Sequence, residues 1–255
     1  MSMSPCPDAA PAAWLRNDPQ PWDRLVSLGP VGLPAYARLR FLPDPTHPGQ
    51  SENDAGDPLV QASETEQLRR VVDVLTAFTT TPQECFFLLW DGWGVHPAGS
   101  GHPPRDDRGT WPRLPGGPGT DSGRYRLDDG APLLQEPPAG SAPGLHPRSA
   151  RPGPLQPPAD LHPAPVHLPN RDYHLFRGGT GDFGDWGPAL PLRPSSHAPD
   201  PAFAWPADHA WCLVRDVDPH YAGIGAAAEA VEALVHRSGL DVVLADPARE
   251  QPHYW

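Results

Sequence analysis

Hydrophobic and polar positions alternate over residues 35–42, with Ala35, Ala37, Leu39 and Phe41 on one side and Tyr36, Arg38 and Arg40 on the other. A period of two predicts a β-strand with one face on a core and one in water. Beyond a loop of prolines, glycines and acids the period changes. Leu68, Val71, Val72, Leu75 and Phe78 recur at the spacing of one helical face, directly after Ser63-Glu-Thr-Glu66. That tetrapeptide has capping-box form: the serine can accept from the N–H of residue 66, and the glutamate can reach back. An amphipathic helix over 64–79, stopped by Pro82, is the expectation.

Cys85-Phe-Phe-Leu-Leu-Trp90 is short and apolar on both sides, which predicts a central strand, and it ends in Asp91-Gly-Trp-Gly94. Further strands are expected over 171–177, 211–217 and 240–244. Asp182-Phe-Gly-Asp-Trp-Gly187 reads as a turn with two aromatic anchors. A second helix is expected over 223–236, with Ile224, Ala227, Val231, Leu234 and Val235 on its buried stripe and Ser238-Gly239 as its stop. The order β-α-β, then β-β-α-β, gives an α+β fold. It has a mixed or mainly antiparallel sheet of about five strands, with two main helices packed on one face.

Composition adds a break in the middle. Residues 94–170 hold 18 of the 39 prolines and 12 of the 25 glycines, and Leu, Ile, Val and Phe supply only 10 positions there. So little apolar surface cannot offset the entropy of ordering the chain. The expectation is one discontinuous α+β domain, 10–93 with 168–250, around a disordered Pro/Gly-rich insert over 94–167. Order returns near Asn170.

Charge narrows the partners. The formal net charge is −12, and outside 94–170 only 12 arginines face 24 acids. Such a body repels nucleic-acid phosphates and anionic membranes, so neither is expected as a partner. No stretch reaches the length of an apolar membrane span, and the first residues lack the basic and apolar regions of a secretion signal. A cytoplasmic protein follows, with Cys6, Cys85 and Cys212 as thiols instead of a disulfide framework. The chain has no lysine. A P-loop lysine, a Schiff-base lysine and a Ser–Lys dyad are therefore excluded.

Three constellations carry candidate chemistry. Gly223-Ile-Gly225-Ala-Ala-Ala228 has the G-x-G-x-x-A form of a phosphate-cradling helix start, with Asp246 after the next strand. Against that, Asp218-Pro-His-Tyr-Ala separates it from the preceding strand, where a true fingerprint turns tightly. A small-residue start to an alanine-rich helix accounts for it better. Asp216 and Asp218 stand two apart at a strand exit, where Asp91, Asp182, Asp185 and His220 would join them if the strand ends are neighbours. Turn-making explains such acids better, since no EF-hand spacing is present, so no metal site is assigned. Eight of the nine tryptophans lie outside the Pro/Gly-rich stretch. Most of these rings fill a core, while Trp93, Trp186 and Trp205 lie in loops where they could line a ligand groove. No nucleophile motif, H-E-x-x-H or Cys-x-x-Cys occurs, so no catalytic residue and no cofactor are expected.

Trp90-Asp-Gly-Trp-Gly, Tyr173-His-Leu-Phe-Arg-Gly178 and the block from Trp205-Pro-Ala-Asp to Asp216-Val-Asp218 resemble a family of uncharacterised proteins from high-GC Gram-positive bacteria. The resemblance spans about 20–93 and 165–250 and implies no activity. A fainter similarity, in the tyrosine-bearing strand and aromatic-glycine turn, is to small α+β immunity proteins that neutralise bacterial toxins. Two readings therefore remain open. One is a non-catalytic protein-binding, immunity-like protein with a basic protein as its partner. The other is a binder of, or enzyme for, a phosphorylated small molecule at Gly223–Ala228. Trp93, Trp186, Trp205, Asp216, Asp218, Gly223 and Gly225 are the candidate binding residues.

Overall fold

The computed structural model describes residues 2–93, 162–190, 198–237 and 239–255. The expected insert lies outside the described residues except for its last stretch, 162–167. In chain order the elements are β1 (Ser4–Pro5), α1 (Ala13–Arg16), α2 (Trp22–Leu28), β2 (Ala35–Arg40), α3 (Glu64–Leu75) and β3 (Cys85–Trp90). After the gap come β4 (Pro165–Leu168), β5 (Arg171–Gly178), β6 (Phe203–Pro206), β7 (Trp211–Val214), β8 (Tyr221–Ala226), α4 (Ala228–Val235) and β9 (Val242–Leu244).

The strands form one sheet in the order β1-β5-β3-β6-β7-β8-β2-β9, and β4 lies beside β1 along the outer edge of β5. Every neighbouring pair runs antiparallel. The α+β class with a largely antiparallel sheet is as expected, but the sheet has nine strands, not five. The additional ones are β1, β4, β6 and β8. Three of them, β1, β4 and β6, contain proline and lie among proline-rich neighbours, which weakens any strand signal. Strand β8, Tyr221-Ala-Gly-Ile-Gly-Ala226, is built of small residues and has no clear alternation.

Both faces of the sheet are covered. On one, α3 and α4 set Leu68, Val71, Leu75, Val231 and Leu234 against Leu39, Phe87, Trp211 and Ile224. On the other, Leu15 of α1 and Leu25 of α2 pack with Leu88, Tyr173, Trp205 and Val214. The two longer helices do share a face, as expected, but the opposite face is not left to water. Central β3 alternates between the cores, Phe87 and Leu89 facing one and Phe86 and Leu88 the other.

Helix α3 follows its sequence signal closely. The Ser63 hydroxyl accepts from the Glu66 N–H at 3.3 Å, and Leu68, Val71, Val72 and Leu75 are buried. Glu66 does not reach back; it pairs forward with Arg70. Strand β2 departs from expectation, because its wet face is buried. Tyr36 is 8% exposed and its hydroxyl donates to the Pro30 carbonyl at 2.8 Å. Arg38 is 5% exposed and forks onto Asp44 at 2.6 and 3.0 Å. An arginine is tolerated inside a protein when a carboxylate meets it in this bidentate way. Arg40 joins the cluster at 3.2 Å from Asp44 and 2.9 Å from Asp241, and His220 Nε2 lies 3.1 Å from Asp44 Oδ1. Tyr254 closes it over the His220 ring at 4.8 Å, its hydroxyl donating to the Pro43 carbonyl at 2.6 Å.

The largest correction concerns Gly223 and Gly225. They do not open a helix. They lie inside β8, paired with Arg38 and Tyr36 of β2, and α4 begins only at Ala228. The glycines serve packing: a Cβ on Gly223 would fall 2.1 Å from the Ser27 carbonyl oxygen and 2.7 Å from the Leu28 Cα. A Cβ on Gly225 would meet Leu33 at 2.5 Å. The end of α2 therefore rests on the bare backbone of β8. Helix α4 ends earlier than expected, at Val235 with His236 as its cap, and Gly239 takes φ of 82° in the turn beyond it, in the left-handed region open to glycine.

Two outcomes test this account. Gly223→Ala should cost about 3 kcal/mol in urea unfolding, at the upper end of overpacking effects, because rigid backbone must move. Gly181→Ala, with nothing within 4 Å of the new methyl, should stay within about 0.5 kcal/mol of the parent. Asp44 supplies the second. Burial alone would push its carboxyl up, but hydrogen bonds from His220 and Arg38 and the nearby Arg charges hold it well below the usual range. A depressed folded value stabilises above the unfolded one, so Asp44→Asn should lose about 2 kcal/mol at pH 7. The deficit should shrink as the pH falls below about 4, where the parent begins to lose the same contribution.

Candidate functional site

Strand β6 starts level with Leu88, while β3 runs on to Trp90 and β7 leads out through Arg215 and Asp216. At this end of the sheet, beside the first turn of α3, there is a cavity of 430 Å³. Its chemistry comes from Glu64, Thr65, Trp93, Asp200, Arg215 and Asp216. The Ser63 cap places Glu64 and Thr65. The Thr65 hydroxyl donates to Asp200 Oδ2 at 3.0 Å, tying the helix to the approach to β6. Arg215 is already engaged: Nη2 and Nε bond Glu64 Oε2 at 2.7 and 3.3 Å, Nη1 donates to the carbonyls of Asp216 and Pro219, and the guanidinium lies 5.0 Å over the Phe41 ring.

Asp216 is the unusual member. Its side chain is only 4% exposed. Oδ1 takes the Arg171 Nη1 at 2.5 Å and the Val217 N–H at 2.6 Å, whereas Oδ2 is buried with no hydrogen-bond partner. Among the described residues, the other buried polar atoms without partners are nitrogens and the neutral amide oxygen of Gln67. Like the Nε atoms of Arg38 and Arg40, this oxygen belongs to an ionisable group, where a missing partner costs more than at a neutral one. The Arg171 guanidinium also reaches Asp218 Oδ2 at 2.8 Å and stacks 4.5 Å over the Trp90 ring, whose edge meets Trp93 at 5.8 Å.

The electrostatics follow from burial. Loss of water pushes the Asp216 carboxyl up, against the Val217 N–H and Arg171, and neighbouring Asp218 adds to the rise. Burial raises Asp200 as well, against the Thr65 hydroxyl and Arg215. Both carboxyls favour either a proton or an added positive charge. No three His, Cys, Asp or Glu side chains among the described residues gather closely enough to hold a metal ion.

Of the residues singled out in the sequence, Trp93 and Asp216 share this cavity, and Asp218 joins through Arg171. Trp186 and Trp205 do not line it. Trp205 is fully buried against Phe86, and Trp186 packs on Phe176, its indole N–H donating to the Pro199 carbonyl at 2.8 Å. Pro199 lines the cavity, so Trp186 braces its wall from the core side. Gly223 and Gly225 lie in the sheet, and no helix start faces them. The other acids expected to converge do not. Asp91 lies 3.0 Å from His174, Asp182 accepts from the Gly179 N–H, Asp185 accepts from the Gly187 N–H, and His220 belongs with Asp44. Arg171, Arg215, Asp200, Glu64 and Thr65 were not singled out. Thr65 and Asp200 meet across 135 positions, a pairing no local spacing encodes.

All three cysteines are free and buried, and burial pushes Cys85 to about 12 and Cys212 further up, so neither is a ready thiolate. No helix among the described residues is long and apolar enough to cross a membrane. Fold and site together define an α+β protein with an acidic, tryptophan-edged cavity at one end of an antiparallel sheet. No protein-family model matches the chain, nor does any curated protein or solved structure.

Asp200 gives a test with a sign opposite to that of Asp44. A raised folded value means a cost that is absent when both states are protonated and grows as the pH rises through the carboxylate range. Asp200→Asn should therefore raise the melting temperature at pH 7. The gain should vanish below about pH 4. A variant less stable than the parent at pH 7 would contradict this electrostatic picture.

Proposed function

We propose that this chain is a non-catalytic, cytoplasmic binding protein whose partner is a basic protein, recognised at the cavity between α3 and the exits of β3 and β7. One observation carries the reading. Glu64, Asp200 and Asp216 line that cavity, the only cation among the described lining residues is Arg215, and Glu64 already holds it. The net charge of −12 supports it at long range, since an acidic body draws in a basic partner and repels polyphosphates. Three unpaired thiols suit a reducing compartment. An immunity-like role, with an acidic face covering a basic toxin, is the biological form we favour.

The same reading treats the chain as one discontinuous domain, since β3 pairs with β5 and β6 across the Pro/Gly-rich stretch. It places the chain with the Gram-positive family that its Trp-Gly, Tyr-x-Leu-Phe-Arg-Gly and Trp-Pro-x-Asp blocks resemble. The phosphorylated-ligand alternative loses support, because Gly223 and Gly225 are occupied by packing against α2 and Leu33.

Titration calorimetry of the full chain tests the proposal with a mixed Lys/Arg peptide and an acidic peptide of equal length. The cationic peptide should bind, and its affinity should fall roughly tenfold between 20 and 200 mM salt, as screening shortens the range of the acidic field. Asp200→Asn should weaken it, while the exposed Glu229→Gln on α4 should not. Equal binding of the acidic peptide, or no binding of the cationic one, would overturn the proposal.

A further inference from the structure

We infer that the cavity is a receptor for an arginine side chain, its guanidinium laid against Trp93 with Asp200 and Asp216 as its carboxylate partners. This rests on the basic-partner reading and narrows it to one side-chain chemistry.

The first support is the incomplete pairing of Asp216. Its carboxylate is nearly buried, yet only Oδ1 is bonded, and Asp216 itself lines the cavity. The half of the group left without a donor identifies what a ligand must bring: positive charge and N–H. The second is the aromatic rim. Trp93 is 47% exposed, with its ring fixed edge-on by Trp90, so it presents a large apolar surface to the opening. A cation at such a face gains from the ring quadrupole.

The third support is a recognition unit the chain already contains. Arg171 stacks on Trp90 while bonding Oδ1 of the same Asp216. An incoming arginine would repeat this arrangement, with Trp93 in the place of Trp90 and Oδ2 in the place of Oδ1; solvent does not reach Oδ2, so the guanidinium must displace what covers it. Arg215 shows the same preference, lying over Phe41 while bonding Glu64. Planar, weakly hydrated guanidinium suits stacking and buried carboxylates better than a compact, strongly hydrated ammonium. The volume of 430 Å³ falls in the roughly 300–1,000 Å³ range of small-ligand sites, leaving room for the stem as well as the head group.

The test uses the full chain and three peptides of one length: an arginine peptide, the same peptide with every arginine changed to lysine, and one with a central arginine changed to citrulline. The arginine peptide should bind about tenfold more tightly than the lysine peptide, and citrulline should remove most of that margin. Trp93→Ala and Asp216→Asn should each erase the arginine preference; Trp93→Ala should leave the weaker, salt-sensitive binding of the lysine peptide, whereas Asp216→Asn, which removes one of the lining carboxylates, should weaken that as well. Trp93 is exposed, and the amide oxygen introduced by Asp216→Asn would still accept from Arg171. Both variants are therefore expected to fold, which circular dichroism checks. Equal affinity for the arginine and lysine peptides sinks the arginine receptor but leaves the basic-partner reading standing. An arginine preference that survives both substitutions moves the site elsewhere and also overturns the inference. If neither peptide binds, both readings fall together.

Discussion

Covering an antiparallel sheet on both faces buries charged side chains that alternation would leave to water, and much of this structure follows from how each of them is met. Antiparallel sheets of this size commonly leave one face to water, where polar side chains need no partners. Here α1 and α2 close that face, and the positions that alternation assigns to solvent are sealed in. Tyr36 and Arg38 survive burial only because a carbonyl and a carboxylate stand ready for them. The Asp44 cluster brings strand β2, the loop after it, His220 and the C-terminal residues to one set of mutually satisfying groups. At the nearby exit of β7 the same constraint is met only in part, and the unpaired oxygen of Asp216 marks where.

That contrast explains why the two acids respond oppositely to pH. Asp44 and Asp216 are both desolvated and both touch arginine. Asp44 receives donors from Arg38, Arg40 and His220, enough to outweigh its burial. Asp216 receives Arg171 on one oxygen and has Asp218 close by, and burial wins. Pairing completed within the fold holds the carboxyl down; pairing left open lets burial raise it.

Legibility in the sequence follows the range of the forces involved. Helix α3 was readable because its capping serine and apolar stripe lie within one window, and β3 and β5 because an apolar run or an alternation is local. Strand β8 was not. Its Gly-Ile-Gly pattern satisfies a phosphate-binding form, yet Gly223 answers to Ser27 and Leu28 and Gly225 to Leu33, nearly two hundred positions earlier in the chain. The covering of β2 was hidden for the same reason, since alternation says which side chains share a face but not whether something packs there. Trp93 and Asp216 were within reach as a loop aromatic and a strand-exit acid. Their partners Arg171, Asp200 and Arg215 were not, being assembled from three separate stretches by the sheet order alone.

The close packing at Gly223 and the cavity are mechanically linked through that order. Val214 of β7 pairs with Gly223 of β8, the residue on which α2 rests, and Asp216 lies two positions beyond Val214. Anchoring β8 from behind therefore holds the exit of β7, where Asp216 meets Arg171 and borders the cavity. On the far wall Trp186 does similar work, gripping the Pro199 carbonyl from within the core. A binding site held by packed backbone and a buried indole loses little entropy when a ligand arrives. This rigidity also bears on the unpaired oxygen. A flexible loop would swing Asp216 toward water and remove its cost, whereas a clamped strand exit keeps it desolvated until a cation reaches it.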